Sequence, residues 1–158
     1  MPRRPTHRKR DRLAFGADTY RAGAAERLED ARLLKDRGNP ALSMYTGGLA
    51  VEGMLRALCC LKSREFDEKH DLRKFAVRVE DLGLLRPARD DDFVTAVQKL
   101  GRQWRNSLRF ADHEQLERFL KAVGVLKTNR GVRGVCEDFY GECVQVYRRC
   151  EIVWRRSA

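Results

Sequence analysis

One segment limits the architectures open to this chain more than any other. Residues 40–62 read PALSMYTGGLAVEGMLRALCCLK. Pro40 suits the first turn of a helix, where its missing N–H costs nothing. Met44, Val51, Met54, Leu55, Leu58 and Leu61 then cover most of the helical circumference. A helix that is apolar nearly all round cannot lie on a surface and needs neighbours on several sides. Glu52 is its lone acid. An unpaired carboxylate in such surroundings is expensive, so a basic partner is expected. Arg56, one turn on, can serve, as can Arg105 from across a bundle; a partly exposed surface pair is the plainer alternative. Gly47 and Gly48 weaken an isolated helix and are expected where another helix backbone passes close.

The rest of the chain supplies the neighbours. A helix over about 18–37 is capped by Asp18 or Thr19, carries Ala24, Leu28, Ala31 and Leu34, and stops at Gly38-Asn39-Pro40. A third starts at the N-cap Asp71, presents Leu72, Phe75, Val79 and Leu82, and stops at Gly83. His70 precedes that cap and is read as serving the helix start. A fourth is expected from about Asp92 to Leu108, with Phe93, Val97, Leu100 and Trp104 on one side, and a fifth from about Asp112, its capping residue. The last, about 132–154, has apolar residues at near-heptad spacing. That seam fits the chain's own core or a neighbour's. Strand signals are nearly absent. The expected fold is an all-α, up-and-down bundle of five to six helices over 17–158, behind a basic tail at 1–16.

The net charge is +10, and residues 1–12, MPRRPTHRKRDR, hold six bases and one acid, or half of that excess. Twenty-five of the 33 basic residues are Arg, whose planar fork suits phosphate. Arg3, Arg4, Arg8, Lys9 and Arg10 in the tail, with Arg109 and the Arg130 and Arg133 of an RGVRG loop, are candidate nucleic-acid contacts. No apolar run follows the tail as a secretory signal requires, and no segment has the length of a membrane span. The five cysteines, an odd number, point to a reducing, cytoplasmic compartment. Cys136, Cys143 and Cys150 recur every seventh residue; on a helix that is a rise of about 10 Å, too far for two thiolates on one metal. Asp90–Asp92 suit a helix start better than a metal site. No nucleophile elbow, glycine-rich phosphate loop or Ser-His-Asp spacing occurs, and no metal or cofactor is expected.

Three segments then take on a joint meaning. YTGGLAVEGMLRALCC, KHDLRKF and WRNSLRF follow one another in the order and spacing of a known helical module. The chain resembles a HEPN domain, found in prokaryotic toxins and antiviral systems. The resemblance covers about Thr19 to Phe110 and extends in architecture to the closing helix. It implies a metal-independent ribonuclease that pairs as a homodimer, so that an arginine and a histidine with four to six residues between them face one cleft from each chain. There the arginine would stabilise charge on the phosphate and the histidine would move a proton during attack by the RNA's 2′-hydroxyl. Arg105 matches the arginine and Asn106 the polar residue after it. The histidine position falls on Phe110, which has no proton to give. Its plain structural use would be core packing, with Arg109 pairing outside. His113, three residues on, is the candidate proton carrier, about 4.5 Å along and 60° round if the segment is helical. Arg64 and His70 also have the spacing, but in another part of the fold, and are read as coincidence. Glu52 is expected at the same cleft. The competing expectation is a non-catalytic interaction subunit that dimerises or docks a partner. The resemblance allows a nucleotidyltransferase-like antitoxin or a larger defence complex as that partner.

Overall fold

Asn39 stops one helix and starts the next. Its side chain accepts a hydrogen bond from the Leu42 amide, Gly38 before it has φ 75°, and Pro40 follows at the first helical position. The result is a hairpin of α1 (Ala17–Asp36) and α2 (Pro40–Cys60). The computed structural model describes residues 15–63, 69–126 and 130–158, and among these there is no strand. The two helices run antiparallel and touch closely. Ser43 Oγ donates to the Ala31 carbonyl at 2.8 Å. Further along, a Cβ on Gly53 would lie 3.0 Å from Ala24 Cβ and 3.3 Å from the Tyr20 carbonyl oxygen.

As expected, α2 is central. Met44, Ala50, Val51, Met54, Leu55, Ala57 and Leu58 are fully buried. Gly47 and Gly48 differ from the expectation, because they accommodate side chains rather than a helix backbone. A Cβ at Gly47 would meet Cys143 Sγ at 3.3 Å, and one at Gly48 would lie 2.0 Å from Trp104 Nε1. The backbone approach expected there occurs one turn later, at Gly53.

Helix α3 (Leu72–Asp81) begins under an Asp71 cap that accepts from the Arg73 amide at 3.1 Å, and Gly83 (φ 69°) ends it. Helix α4 (Phe93–Gln103) is shorter than the pattern suggested. Trp104 and Arg105 are extended, with φ/ψ of −122°/137° and −142°/145°, and a 3-10 helix follows over Asn106–Phe110. The break has a tertiary cause. Trp104 Nε1 donates to the Tyr45 carbonyl at 3.0 Å, and its ring stacks on Tyr45 above Gly48. A seated Trp104 and an unbroken helix are incompatible demands, and the buried aromatic ring prevails.

Helix α5 (His113–Ala122) opens with a capping box between Asp112 and Gln115. Helix α6 (Gly131–Ser157) runs beyond the expected range at both ends, so RGVRG is its first turn and not a loop. Phe139, Cys143, Val146, Cys150 and Val153 are buried in the same core as α2. The heptad seam therefore packs within its own chain. The cysteines are free thiols, and burial pushes those of Cys143 and Cys150 upward, away from reactivity.

Ion pairs hold α6 in place. Arg21 grips Glu151 through two bonds of 2.8 Å, Arg149 grips Asp92 at 2.8 and 2.6 Å, and Arg156 pairs with Asp90. Asp90 and Asp92 thus serve the seating of α6. Arg149 holds the Asp92 carboxyl below its usual range, and Arg21 does the same for Glu151. At Asp90 burial pushes upward, but the bonds from Arg156 and the Arg86 amide outweigh it. Carboxyls lowered by folding stabilise above their unfolded values, near about 4, and lose that contribution as pH falls through the folded values. The melting temperature, followed by circular dichroism, is therefore expected to hold steady from about pH 7 to pH 5 and to fall below about pH 4. In the double variant Asp92→Asn, Glu151→Gln that fall should be shallower.

Candidate functional site

A cleft of about 530 Å³ opens where the start of α3 meets the end of α4. Lys69, His70, Asp71, Leu72 and Arg73 line one side; Gly101, Arg102, Trp104, Arg105 and Asn106 line the other, with Val123 beyond α5. Among the described residues, Lys69, Arg73, Arg102 and Arg105 set four fixed positive charges in this lining against one acid, Asp71. Asp71 is itself engaged, since its carboxylate caps α3 and also accepts from Arg73 Nε. Such an excess concentrates anions. A second groove, of about 540 Å³, shares Asp71 and Arg73 with the first and passes Lys74, Val77, Arg78, Asp81 and Gln98.

Glu52 stands behind the cleft. It is 4% exposed, far more buried than a surface pair. Of the two partners expected for it, Arg56 is the one observed: Arg56 Nε donates to Oε1 at 2.7 Å. The same guanidinium lies 4.7 Å from the Phe75 ring centre and 5.9 Å from that of Tyr20. One Arg56 side chain therefore joins α1, α2 and α3. The other carboxylate oxygen, Oε2, is 2.9 Å from His70 Nδ1. This second partner was not legible locally, because 18 residues separate it from Glu52. Lys69 and His70 have φ of 41° and 64°, a left-handed stretch unfavourable to side-chain-bearing residues.

The sequence candidates fall into three groups. Arg105 and Asn106 line the cleft, and Glu52 reaches it through His70. The Arg105 guanidinium lies 5.1 Å from the Phe119 ring centre, and Asn106 Oδ1 is buried without a hydrogen-bond partner among the described residues. His113 is not among the lining residues. It is the exposed first residue of α5. The segment between it and Arg105 is 3-10 and extended, so α-helical spacing does not apply. Phe110 is not core: it is 74% exposed, with the Arg109 guanidinium 4.6 Å from its ring centre. Leu108 is the buried residue of that turn.

The basic candidates divide likewise. Arg3, Arg4, Arg8, Lys9 and Arg10 lie outside the described residues, as does Arg64. Arg130 is paired with Asp138 at 2.8 Å and Glu137 at 3.4 Å, and Arg133 with Glu137 at 3.2 Å. Among the described residues no three His, Cys, Asp or Glu side chains gather as a metal site would require, and no helix is long and apolar enough to cross a membrane.

Comparison with curated proteins and with solved structures gives no match. The family model of the HEPN domain matches residues 17–128, a span that includes α1 to α5, Glu52, His70 and the Arg105-Asn106 pair. The chain thus belongs to the HEPN domain family.

Proposed function

We propose that this protein engages RNA through the α3–α4 cleft, as a ribonuclease-type HEPN domain. The observation that carries the reading is the charge of the lining: among the described residues, Lys69, Arg73, Arg102 and Arg105 surround a concave space with one engaged acid. Phosphate is the group such a lining suits best. Arg105 is its central contact, because the extended backbone at Trp104 and Arg105 brings it to the cleft beside Asn106. A homodimer and a place in a toxin or antiviral defence system complete this reading and rest on family membership alone; a cytoplasmic location rests on the odd number of cysteines.

The test is binding of a fluorescent single-stranded RNA, followed by anisotropy as salt is raised. Affinity should fall linearly on logarithmic axes. Arg105→Ala should weaken binding about tenfold, in line with a charge-assisted hydrogen bond, and lower the salt slope by about one. Arg118→Ala, on the exposed face of α5 and paired with Glu114, should do neither. Binding indifferent to both salt and Arg105 sinks the proposal.

A second reading has one observation in its favour. Exposed Phe110 under Arg109 suits a protein contact. As a non-catalytic interaction subunit, the chain would dimerise or hold a partner such as a nucleotidyltransferase-like antitoxin, in a complex little affected by salt.

A further inference from the structure

The Glu52–His70 pair does more than a helix start requires. Asp71 already caps α3 through its own side chain, so His70 is not needed for that task. Its ring is instead bonded to the buried carboxylate of Glu52, the lone acid of the central helix. A carboxylate only accepts hydrogen bonds, so Nδ1 must carry the hydrogen. In the neutral ring Nε2 then keeps its lone pair on the opposite edge. Among the described residues no hydrogen bond engages that second nitrogen, and a carboxylate that fixes a histidine in one tautomer while leaving its other nitrogen available is the arrangement general-base catalysis uses.

Three further facts point the same way. The His70 side chain is 44% exposed although its partner is 5% exposed, so the pair runs from the core to the cleft. The turn that delivers the ring is left-handed at both Lys69 and His70. Such conformations persist where surrounding contacts over-determine them, and they collect at functional sites. The opposite wall carries Arg105 and Asn106. At the site, therefore, an oriented imidazole and an arginine face one space, while position 110 presents an exposed phenyl ring.

We propose that His70, oriented by Glu52, is the proton-transfer group of this cleft. The inference rests on the cleft being an RNA phosphodiester site. The substrate is single-stranded RNA with an intact 2′-hydroxyl. His70 Nε2 takes the 2′-hydroxyl proton as the 2′-oxygen bonds to the adjacent phosphorus. The bond from phosphorus to the 5′-oxygen breaks, and that oxygen is protonated by water. The products are a 2′,3′-cyclic phosphate and a 5′-hydroxyl. The imidazolium returns its proton to the hydroxide left in solvent, so charge and atoms balance without metal or redox partner. Arg105 faces the charge that builds on the phosphoryl oxygens. Glu52 is a positioning residue, since it acts only through His70.

The experiment uses the full chain in EDTA with a random-sequence 12-nucleotide single-stranded RNA and its all-2′-deoxy counterpart. Wild type should leave cyclic-phosphate ends on the RNA and should not cut the deoxy strand. His70→Ala should lose about a hundredfold or more in cleavage rate, hold RNA within about twofold, and regain part of its rate with added imidazole. His70→Gln, whose amide can still donate to Glu52, guards against a folding defect and should be as inactive while melting close to wild type. Glu52→Gln should lower the rate less, and nitrogen NMR of the ring should show the Nδ1–H tautomer in wild type and its loss in that variant. Rescue by imidazole supports proton transfer, because a purely structural histidine would not respond to it. Retained cleavage in His70→Ala, or its loss only in His113→Ala, overturns the assignment. RNA that is bound with the expected salt dependence but never cut overturns this inference and leaves the binding proposal standing; RNA that is not bound removes both.

Discussion

Gly48→Ala is expected to destabilise the protein by about 2 kcal/mol, although alanine is the better helix former by about 1 kcal/mol. The new methyl would lie 2.0, 2.2 and 2.4 Å from three atoms of the Trp104 indole. A rigid bicyclic ring cannot yield by changing one terminal torsion; it must move as a body. Movement breaks the Nε1 bond to the Tyr45 carbonyl and the stacking on Tyr45. The hydrogen bond contributes about 1 kcal/mol, and overpacking costs about 1–3 kcal/mol. Gly47→Ala is the internal comparison. Its methyl meets Cys143 Sγ at 3.3 Å and nothing else inside 3.7 Å, so the propensity gain should roughly cancel the contact. Urea unfolding followed through tryptophan fluorescence reads both. Equal midpoints for the two variants would mean that Trp104 is not seated on Gly48. The effect should also reach the cleft, because Trp104 lines it and immediately precedes Arg105.

Glu52→Ala is the second large effect, expected at about 3 kcal/mol, the low end of the cost of breaking a buried ion pair. The low end is appropriate because the Arg56 side chain keeps 17% of its exposure and its contacts with Phe75 and Tyr20. Glu52→Gln should cost less, about 1–2 kcal/mol, since an amide oxygen still accepts one bond. A thermodynamic cycle with Arg56→Ala isolates the pair, and its coupling should exceed about 1 kcal/mol. A coupling near zero would place Glu52 among ordinary surface pairs, against its burial.

These two sites also show what the sequence could and could not disclose. Asp71, Asp112 and Pro40 act within a turn of themselves, and their roles as cap, cap and first-turn residue were legible. So was the centrality of α2, and helical spacing offered Arg56 as one of two partners for Glu52. The end of α4 was not. Phe93, Val97, Leu100, Trp104 and Leu108 keep a helical rhythm straight through the break, and only a contact with Gly48, 56 residues earlier, reveals why the chain turns extended at Trp104. The same limit hid the make-up of the α3–α4 cleft. Arg105 and Asn106 stood out by motif and line it, but His70 looked committed to its neighbour Asp71. Its bond to Glu52 depends on how α3 is laid against α2, which no local pattern encodes. His113 lies outside the lining of this cleft for the complementary reason: the proximity expected for it assumed a helix that Trp104 interrupts.

The seating of α6 has a consequence for the timing of synthesis. The segment recognisable as HEPN ends at residue 128, before α6 begins, yet Phe139 and Cys143 cover the Gly47 flank of α2, and Arg21 waits for Glu151, 130 residues downstream. Helices α1 to α5 can thus emerge from the ribosome with the central helix still bare on one side. The 27 residues of α6 take roughly one to five seconds to make. For that interval the α6-facing side of the most apolar helix has no cover from its own chain.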